Sequence, residues 1–402
     1  MFLAATAMIA GPARAQSADV VPVIHLDLQP ENEAYESLIR DSAQRALVTY
    51  GGWLGPAPLR SVTIVDRPWC SERADAPGLI VVHLPWWSAP PRMQIESQVA
   101  FGLATQWWPA LLQAPDTRAI ALGLARYLQS RVVEDLFDRA FLRTAHSVDG
   151  VRFFGGAVPR TFRLLRLDRW TGGLGRADFV RRDEAPGAAC RGDAGIDVTT
   201  ARFALAFGTL ERYLGWPALQ GALRALAAES KNHMARSEVE DVIGAAVGQD
   251  LSWFFDAAFD RHRRFAYAVR SLSTAPAASC TFTPCFRTQV VVGRDGDAVF
   301  SGLARETQGS YASGDAMELR VEFADGQVTS TRWDGRDESR TFEFESAEPA
   351  TAARLDPDRV LLLDDNYLDN ALQTRPDSNV PVTKWAARWL VWLQNAMLTY
   401  AF

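Results

Sequence analysis

Residues 99–108 read VAFGLATQWW and lie at the end of a helix predicted at about Met93–Trp108. Apolar runs before this helix predict two strands, at Ser61–Val65 and Leu79–Leu84. A second helix is predicted soon after it, at about Thr117–Asp138. Strands followed directly by helices indicate a domain that contains both types of element.

The elements further from this segment extend the same pattern. Ile24–Leu28 is predicted to be a strand, and Glu33–Gly51 carries apolar residues at helical spacing. The helical pattern returns from Thr199 to Lys231. Ser237 and Glu240 have the spacing of a capping box at the start of a further helix.

Beyond Ala275 the apolar period changes from helical to alternating, as at Leu319, Val321 and Phe323. This change predicts an antiparallel β-sandwich. The predicted fold class is therefore α+β, a mostly helical domain with a small sheet, followed by the β-sandwich and a C-terminal amphipathic helix. The predicted segments are an export signal at 1–15, the helical domain at 18–270, the β-sandwich at 276–366, a linker at 367–383 and the final helix at 384–402.

The first residues have the order of an export signal. An apolar run at Phe2–Ala10 is followed by Gly11-Pro12 and by the small-x-small sequence Ala13-Arg14-Ala15. Export predicts an oxidising, periplasmic environment, in which the cysteines can form disulfides. Cys280 and Cys285 are close enough in sequence to pair.

One short motif connects this sequence with zinc chemistry. Zinc hydrolases of the H-E-x-x-H type place two histidine ligands on one helix face, with the glutamate between them as general base. Residues 101–107 read FGLATQW and resemble the H-E-L-A-H-Q-W motif of the membrane alanyl aminopeptidase family of gluzincin metallopeptidases. The resemblance places Phe101 and Thr105 at the positions of the two ligand histidines, and Gly102 at the position of the base.

Further stretches resemble the same family. The sequence AIALGLARY at 119–127 is similar to the helix that carries the third zinc ligand, and Leu122 occupies the place of that ligand. The resemblance also puts Asp75 where the family binds the substrate amine, and Thr200 where it has a catalytic tyrosine. It spans roughly Ile24 to Asp260 and implies a thermolysin-like, gluzincin fold for the helical domain.

The resembling positions lack the chemistry of a zinc site. Catalytic zinc needs nitrogen, oxygen or sulfur ligands, and the three ligand positions carry apolar or hydroxyl side chains. We therefore expect a pseudoenzyme with no catalytic residue, no metal and no cofactor. The alternative is a zinc-dependent metallo-aminopeptidase of this family. The former substrate groove is expected to be lined by Asp75, Gln106, Trp107 and Arg202.

Charge and the C-terminal segment limit the class of partner. The formal net charge is −6, with no basic stripe, which argues against nucleic acid as a partner.

In the predicted helix at 384–402, Trp385, Trp389 and Trp392 share one face. The residues after Arg388 are fewer than the roughly 20 that a membrane span requires. Such a helix suits a membrane interface or a membrane subunit. Packing against the β-sandwich, or an anchor that continues beyond this chain, are the alternatives.

These observations together predict a non-catalytic, aminopeptidase-like protein. It is expected to be exported to the periplasm and associated with the membrane surface. Its predicted partner is a peptide or a protein, and residues 384–402 would contact the membrane or a membrane protein.

Overall fold

The structure is a computed structural model that describes residues 21–68, 77–84, 94–113, 115–136, 198–229, 234–260, 262–278, 283–302, 317–367 and 369–374. The predicted export signal at 1–15 and the predicted helix at 384–402 lie outside these residues. The described part contains both helices and sheets, which confirms the mixed composition expected from the sequence. The predicted domain boundaries stay predictions.

A small parallel sheet begins the described chain. Its strands are β1 (Val23–Asp27), β2 (Ser61–Pro68) and β3 (Leu79–Leu84), in the order β1-β2-β3. A short 3-10 helix at Pro30–Tyr35 and the helix α1 (Glu36–Leu54) connect β1 to β2. Parallel neighbouring strands need a crossover connection. The helix α1 forms this connection between β1 and β2.

The helices that follow pack around this sheet and around each other. They are α2 (Gln94–Thr105), α3 (Pro109–Gln113), α4 (Pro115–Leu136), α5 (Val198–Leu214), α6 (Trp216–Ala228), α7 (Arg236–Val247) and α8 (Ser252–Ala258). The helix α2 ends before the predicted Trp108, because Pro109 disfavours helical backbone at the residue before it. Gln106 and Trp107 therefore lie in a turn after the helix.

The start of α7 also differs from the prediction. Ala235 is the residue before the first turn, and its backbone N–H donates to the Glu238 carboxylate at 2.8 Å. Glu240 instead accepts a hydrogen bond from Arg236 at 2.6 Å. The capping box predicted at Ser237 and Glu240 is therefore wrong. The helix begins earlier, so that Ser237 lies inside its first turn.

Antiparallel strands make up the rest of the described chain. They are β4 (Tyr267–Pro276), β5 (Phe286–Arg294), β6 (Met317–Phe323), β7 (Val328–Trp333), β8 (Ser339–Ser346), β9 (Ala350–Leu355) and β10 (Ala371–Gln373). One sheet has the order β10-β9-β6-β7 and the other β4-β5-β8. Tyr267 of β4 meets Trp333 of β7 edge to face, with ring centroids 5.7 Å apart. The two sheets therefore share buried side chains.

Two sequence predictions concern the edges of these sheets. Ala371–Gln373 falls in the predicted linker but pairs with β9, because this register packs Leu372 against the core. Cys285 is buried and takes part in a disulfide. Cys280 lies outside the described residues, so its pairing with Cys285 stays a prediction.

A buried polar cluster ties the helices together. The Tyr127 hydroxyl donates to the Glu211 carboxylate at 2.7 Å, and Arg131 forms an ion pair with the same carboxylate. The Arg131 guanidinium also lies over the Trp216 ring, 3.5 Å from its centroid. A buried charge is costly unless it is paired, so this cluster fixes the positions of α4, α5 and α6.

The helix α5 also holds the loop between β9 and β10. Thr209 is fully buried, and its hydroxyl accepts a hydrogen bond from the backbone N–H of Leu362 at 3.0 Å. The same hydroxyl donates to the Leu205 carbonyl at 2.9 Å. Since Leu362 lies between two antiparallel strands in sequence, this contact joins the helical part to the sheets.

We expect Thr209→Val to destabilise the protein by about 1–3 kcal/mol, because it leaves the buried N–H of Leu362 without an acceptor. The matched control is Thr49→Val. The Thr49 hydroxyl makes the same bond to a carbonyl one turn back, at Arg45, but lies at the surface. The control should change the free energy of unfolding by no more than about 0.5 kcal/mol. Urea denaturation measures both variants, and equal effects would contradict the role of Thr209.

Candidate functional site

The centre of the candidate site is the contact between α2 and β3. A Cβ atom placed on Gly102 would lie 2.5 Å from Cγ2 of Ile80. Real Cβ atoms do not approach other heavy atoms so closely. The helix therefore lies against the strand at a separation that requires glycine at this position. At the position that the resemblance assigns to the catalytic base, the side chain of Ile80 therefore leaves no room for a glutamate.

The positions of the family's zinc ligands take part in packing. Phe101 is 6% exposed and belongs to the hydrophobic core, and Leu122 packs against that core. Thr105 is buried, and its hydroxyl donates to the Gly102 carbonyl at 2.7 Å. An aromatic ring, a hydroxyl engaged within its own helix and an aliphatic chain do not form a zinc ligand set. The residues at these positions therefore do not fit the metal.

A second close contact brings α4 against α5. A Cβ atom on Gly123 would lie 2.4 Å from Cβ of Phe203. Leu122 is the neighbour of this glycine, and Thr200 lies one turn before Phe203 in α5. Thr200 is 2% exposed, and its hydroxyl has no hydrogen-bond partner among the described residues. Thr200 thus lies within the packed interior, and Leu122 is half-buried at its edge.

The four predicted groove residues occupy different environments. Trp107 is buried, and its indole N–H donates to the Gly55 carbonyl at 3.2 Å. Its ring meets Tyr50 edge to face, with centroids 5.6 Å apart. Trp107 is therefore a core residue rather than part of a groove surface. Asp75 lies outside the described residues.

Arg202 is also part of the interior. Its guanidinium donates to the carbonyls of Ala257 and Ala258 at 2.9 and 2.7 Å and to the carbonyl of Arg263 at 2.7 Å. Burial lowers the pKa of Arg202, and the carboxylate of Asp365 acts in the opposite direction. Arg202 thus binds the last carbonyls of α8, where a positive charge is favoured. Its place is at the joint between the helices and β4.

Gln106 is the predicted groove residue that lines a cavity. Its side-chain carbonyl accepts the backbone N–H of Gly78 at 2.8 Å. Its amide nitrogen donates to the Gly102 carbonyl at 3.2 Å and to the Thr105 hydroxyl at 3.1 Å. Gln106 therefore fixes the end of α2 to the residue that precedes β3.

The cavity beside Gln106 has a volume of about 210 Å³. Its polar lining consists of Thr105, Gln106, Gln113 and Arg118, and its apolar lining of Pro77, Pro109 and Leu112. The side chains of Gln113 and Arg118 are exposed at its rim. Sequence reasoning missed these two residues, because they follow the motif on separate elements.

A second glutamine holds the other end of β3. The Gln98 side chain accepts the N–H of His83 at 2.7 Å and donates to its carbonyl at 3.1 Å. These are the groups that an added strand would use. Sequence reasoning missed Gln98 as well. A polar residue in an apolar helix needs a partner, and this was the signal that could have indicated it.

Two further properties of the described residues bear on the class of protein. They contain no group of three or more His, Cys, Asp or Glu side chains arranged to hold a metal ion. Among the helices of the described ranges, none is long and apolar enough to cross a membrane.

The fold is that of an aminopeptidase. The chain is similar to the crystal structure of aminopeptidase A from Legionella pneumophila, solved with aspartic acid, with a TM-score of 0.50 and 11% sequence identity. The match covers 85% of this chain and 36% of that one, so this chain spans about a third of the solved aminopeptidase. At this identity the likeness concerns the fold alone.

Another similar structure is a mutant M1 zinc metallopeptidase from Deinococcus radiodurans, bound to a Tyr-Ser-Ala substrate. The TM-score is 0.35 and the identity 16%, over 58% of this chain and 45% of that one. No protein-family model and no curated protein matches the sequence.

We expect Gly102→Ala to cost about 1–3 kcal/mol of stability, because the new methyl group overpacks the contact with Ile80. The matched control is Gly221→Ala in α6, where an added Cβ atom meets nothing within 4 Å. The control should be stabilising by about 0.5–1 kcal/mol, because alanine favours the helix.

A double-mutant cycle tests the assignment of this cost to Ile80. The change Ile80→Ala removes the methyl group that the new Cβ atom would meet. The double variant should therefore lose less free energy of unfolding than the sum of the two single changes. Additive losses would show that the Gly102 position is not limited by Ile80.

Proposed function

We propose that this chain is a non-catalytic, aminopeptidase-like protein that binds a peptide or the chain end of a protein partner. We propose further that it is exported and acts at the membrane surface, without a metal or other cofactor. The observation that carries the non-catalytic role is the use of Phe101, Thr105 and Leu122 for packing. These positions supply no zinc ligand, and Gly102 supplies no base.

The fold supports a binding role. The chemistry of an enzyme depends on a few side chains grafted on its fold, so a fold can persist and bind a ligand without them. Here Gln98 and Gln106 brace the strand beside α2, and a cavity opens next to Gln106. A braced sheet edge and a preformed cavity favour binding, because little has to become ordered when a ligand arrives.

The proposed location rests on the two ends of the sequence. The apolar run and small residues of segment 1–15 have the order of an export signal. The tryptophans and the two basic residues, Lys384 and Arg388, of segment 384–402 suit a membrane interface. The export signal and the membrane contact are therefore proposed from sequence alone.

The decisive experiment combines metal analysis with an activity assay on the purified full-length chain. We expect substoichiometric zinc after incubation with excess zinc and desalting. We also expect no chelator-sensitive hydrolysis of aminoacyl-anilide substrates. The reason is that the ligand positions carry a ring, an engaged hydroxyl and an aliphatic chain. A zinc aminopeptidase of known activity, treated identically, is the positive control.

Stoichiometric zinc together with turnover that a chelator abolishes would establish the competing function, a zinc-dependent metallo-aminopeptidase. In that case the ligands would have to come from residues other than Phe101, Thr105 and Leu122. The change Gly102→Ala would then distinguish the non-catalytic protein from the zinc-dependent enzyme. An enzyme using this helix for catalysis would lose activity beyond its loss of stability.

The membrane role predicts a change in fractionation. Removal of residues 384–402 should move the protein from the membrane fraction to the soluble fraction, because the tryptophan face is lost. Replacing Trp385, Trp389 and Trp392 by serine keeps the chain length and should have the same effect. Immunoblotting of fractionated cells measures both variants. A truncated protein that stays in the membrane fraction would overturn this part of the proposal.

A further inference from the structure

The strand β8 lies at the border of the sheet β4-β5-β8 and pairs with β5 on one side only. The N–H of Arg294 donates to the Glu338 carbonyl at 3.0 Å, and bonded pairs alternate from there along the two strands. Every second residue of β8 therefore directs its N–H and C=O groups away from β5. Among the described residues nothing pairs with these outward backbone groups, which belong to Ser339, Thr341, Glu343 and Glu345.

The other borders of the two antiparallel sheets are shorter or already engaged. The strands β7 and β10 have six and three residues, whereas β8 has eight. On β4 the N–H of Val269 donates to the Asp369 carbonyl at 2.8 Å, and the strand ends at Pro276. The strand β8 has neither a proline nor a bulge in its pairing with β5. Because such devices usually protect an edge, the edge of β8 is suited to pairing with another strand.

Two aromatic side chains of β8 remain partly open to solvent. Phe342 and Phe344 are half-buried and pack against the core from the side on which Val290 is buried. The guanidinium of Arg340 lies 5.0 Å from the centroid of the Phe342 ring. The side chains of an added strand would cover the remaining surface of these rings and remove it from water, which is favourable.

A second copy of β8 fits this edge in an antiparallel orientation. Only residues with outward backbone groups can form bonded pairs, so each of them must face another member of the same set. An arrangement centred on Phe342 uses all of them, because Ser339 then faces Glu345 and Thr341 faces Glu343. An arrangement centred on Glu343 would place two glutamates directly opposite each other, which is unfavourable.

The other face of the same arrangement is also complementary. Phe342 faces Phe342 of the second copy at the two-fold axis, in a pair without backbone hydrogen bonds, where side chains approach most closely. Arg340 faces Phe344 of the second copy, and a cation beside an aromatic ring is favourable. The register that pairs every outward backbone group is therefore one in which no like charges lie directly opposite.

We infer that β8 binds β8 of a second copy of this chain, antiparallel and centred on Phe342, so that two sheets join into one. The occupant is a second copy because the side chains of this strand complement the strand itself in the longest possible register. The inference goes beyond the proposed binding function and does not depend on it.

Sedimentation equilibrium of the full-length chain in a mild detergent tests the dimer. We expect a monomer–dimer equilibrium at micromolar concentration. Thr341→Pro should raise its dissociation constant by at least about tenfold, because the proline removes an outward N–H and obstructs the partner strand. It removes no hydrogen bond to β5, and proline is tolerated at such edge positions.

The matched control is Ser330→Pro on β7, where the backbone groups of Ser330 also point away from the neighbouring strand. It should leave the dissociation constant unchanged, and thermal unfolding verifies that both variants are folded. A wild-type chain that stays monomeric, or a dimer that Thr341→Pro leaves intact, would overturn the inference. Loss of the dimer in Ser330→Pro alone would place the contact on β7 and would overturn it as well.

Single cysteines test the register. In Phe342→Cys the two sulfur atoms would face each other at the two-fold axis, within reach of a disulfide. In Ser339→Cys they would lie six residues apart along the strands, about 20 Å. Oxidation with diamide should link Phe342→Cys into a dimer on a non-reducing gel and leave Ser339→Cys at the level of the wild type. Stronger linkage of Ser339→Cys, or no linkage of a Phe342→Cys variant that still sediments as a dimer, would overturn the inferred arrangement.

Discussion

Helix α2 and strand β3 lie so close together that the residue between them can have no side chain. Gly102 meets this requirement against Ile80, and Gly123 meets the same requirement between α4 and α5. The resemblance to zinc peptidases puts Gly102 at the position of the catalytic base and Gly123 next to a ligand position. Because packed interiors tolerate little change in volume, these two contacts determine how the sheet and the helices are arranged.

The positions that the resemblance assigns to the zinc ligands lie in the core or pack against it. Phe101 and Leu122 contribute apolar surface, and the Thr105 hydroxyl is satisfied by its own helix. A polar ligand at any of these positions would need a partner or a metal to offset its burial. Apolar side chains such as those of Phe101 and Leu122 do not have this requirement.

Polar side chains near these positions bind main-chain groups. Gln98 and Gln106 bind backbone groups at both ends of β3, and Arg202 binds three carbonyls at the joint with the antiparallel sheets. Each of them saturates main-chain groups that would otherwise be buried without partners. Gln113 and Arg118, at the rim of the cavity, are by contrast exposed to solvent.

The sequence alone determined the type and approximate position of most elements, because apolar period and turn residues act locally. It placed strands at Ser61 and Leu79, helices around them and alternating strands beyond Ala275. With the family resemblance it also predicted apolar or hydroxyl side chains at the ligand positions. It could not decide that Trp107 and Arg202 face the interior. It also gave no reason to place Arg118 beside Gln106. Those features depend on which residues meet when distant segments pack, and a single sequence does not contain that distance information. Tertiary structure therefore decided which polar side chains bind buried main-chain groups and which are exposed at the surface.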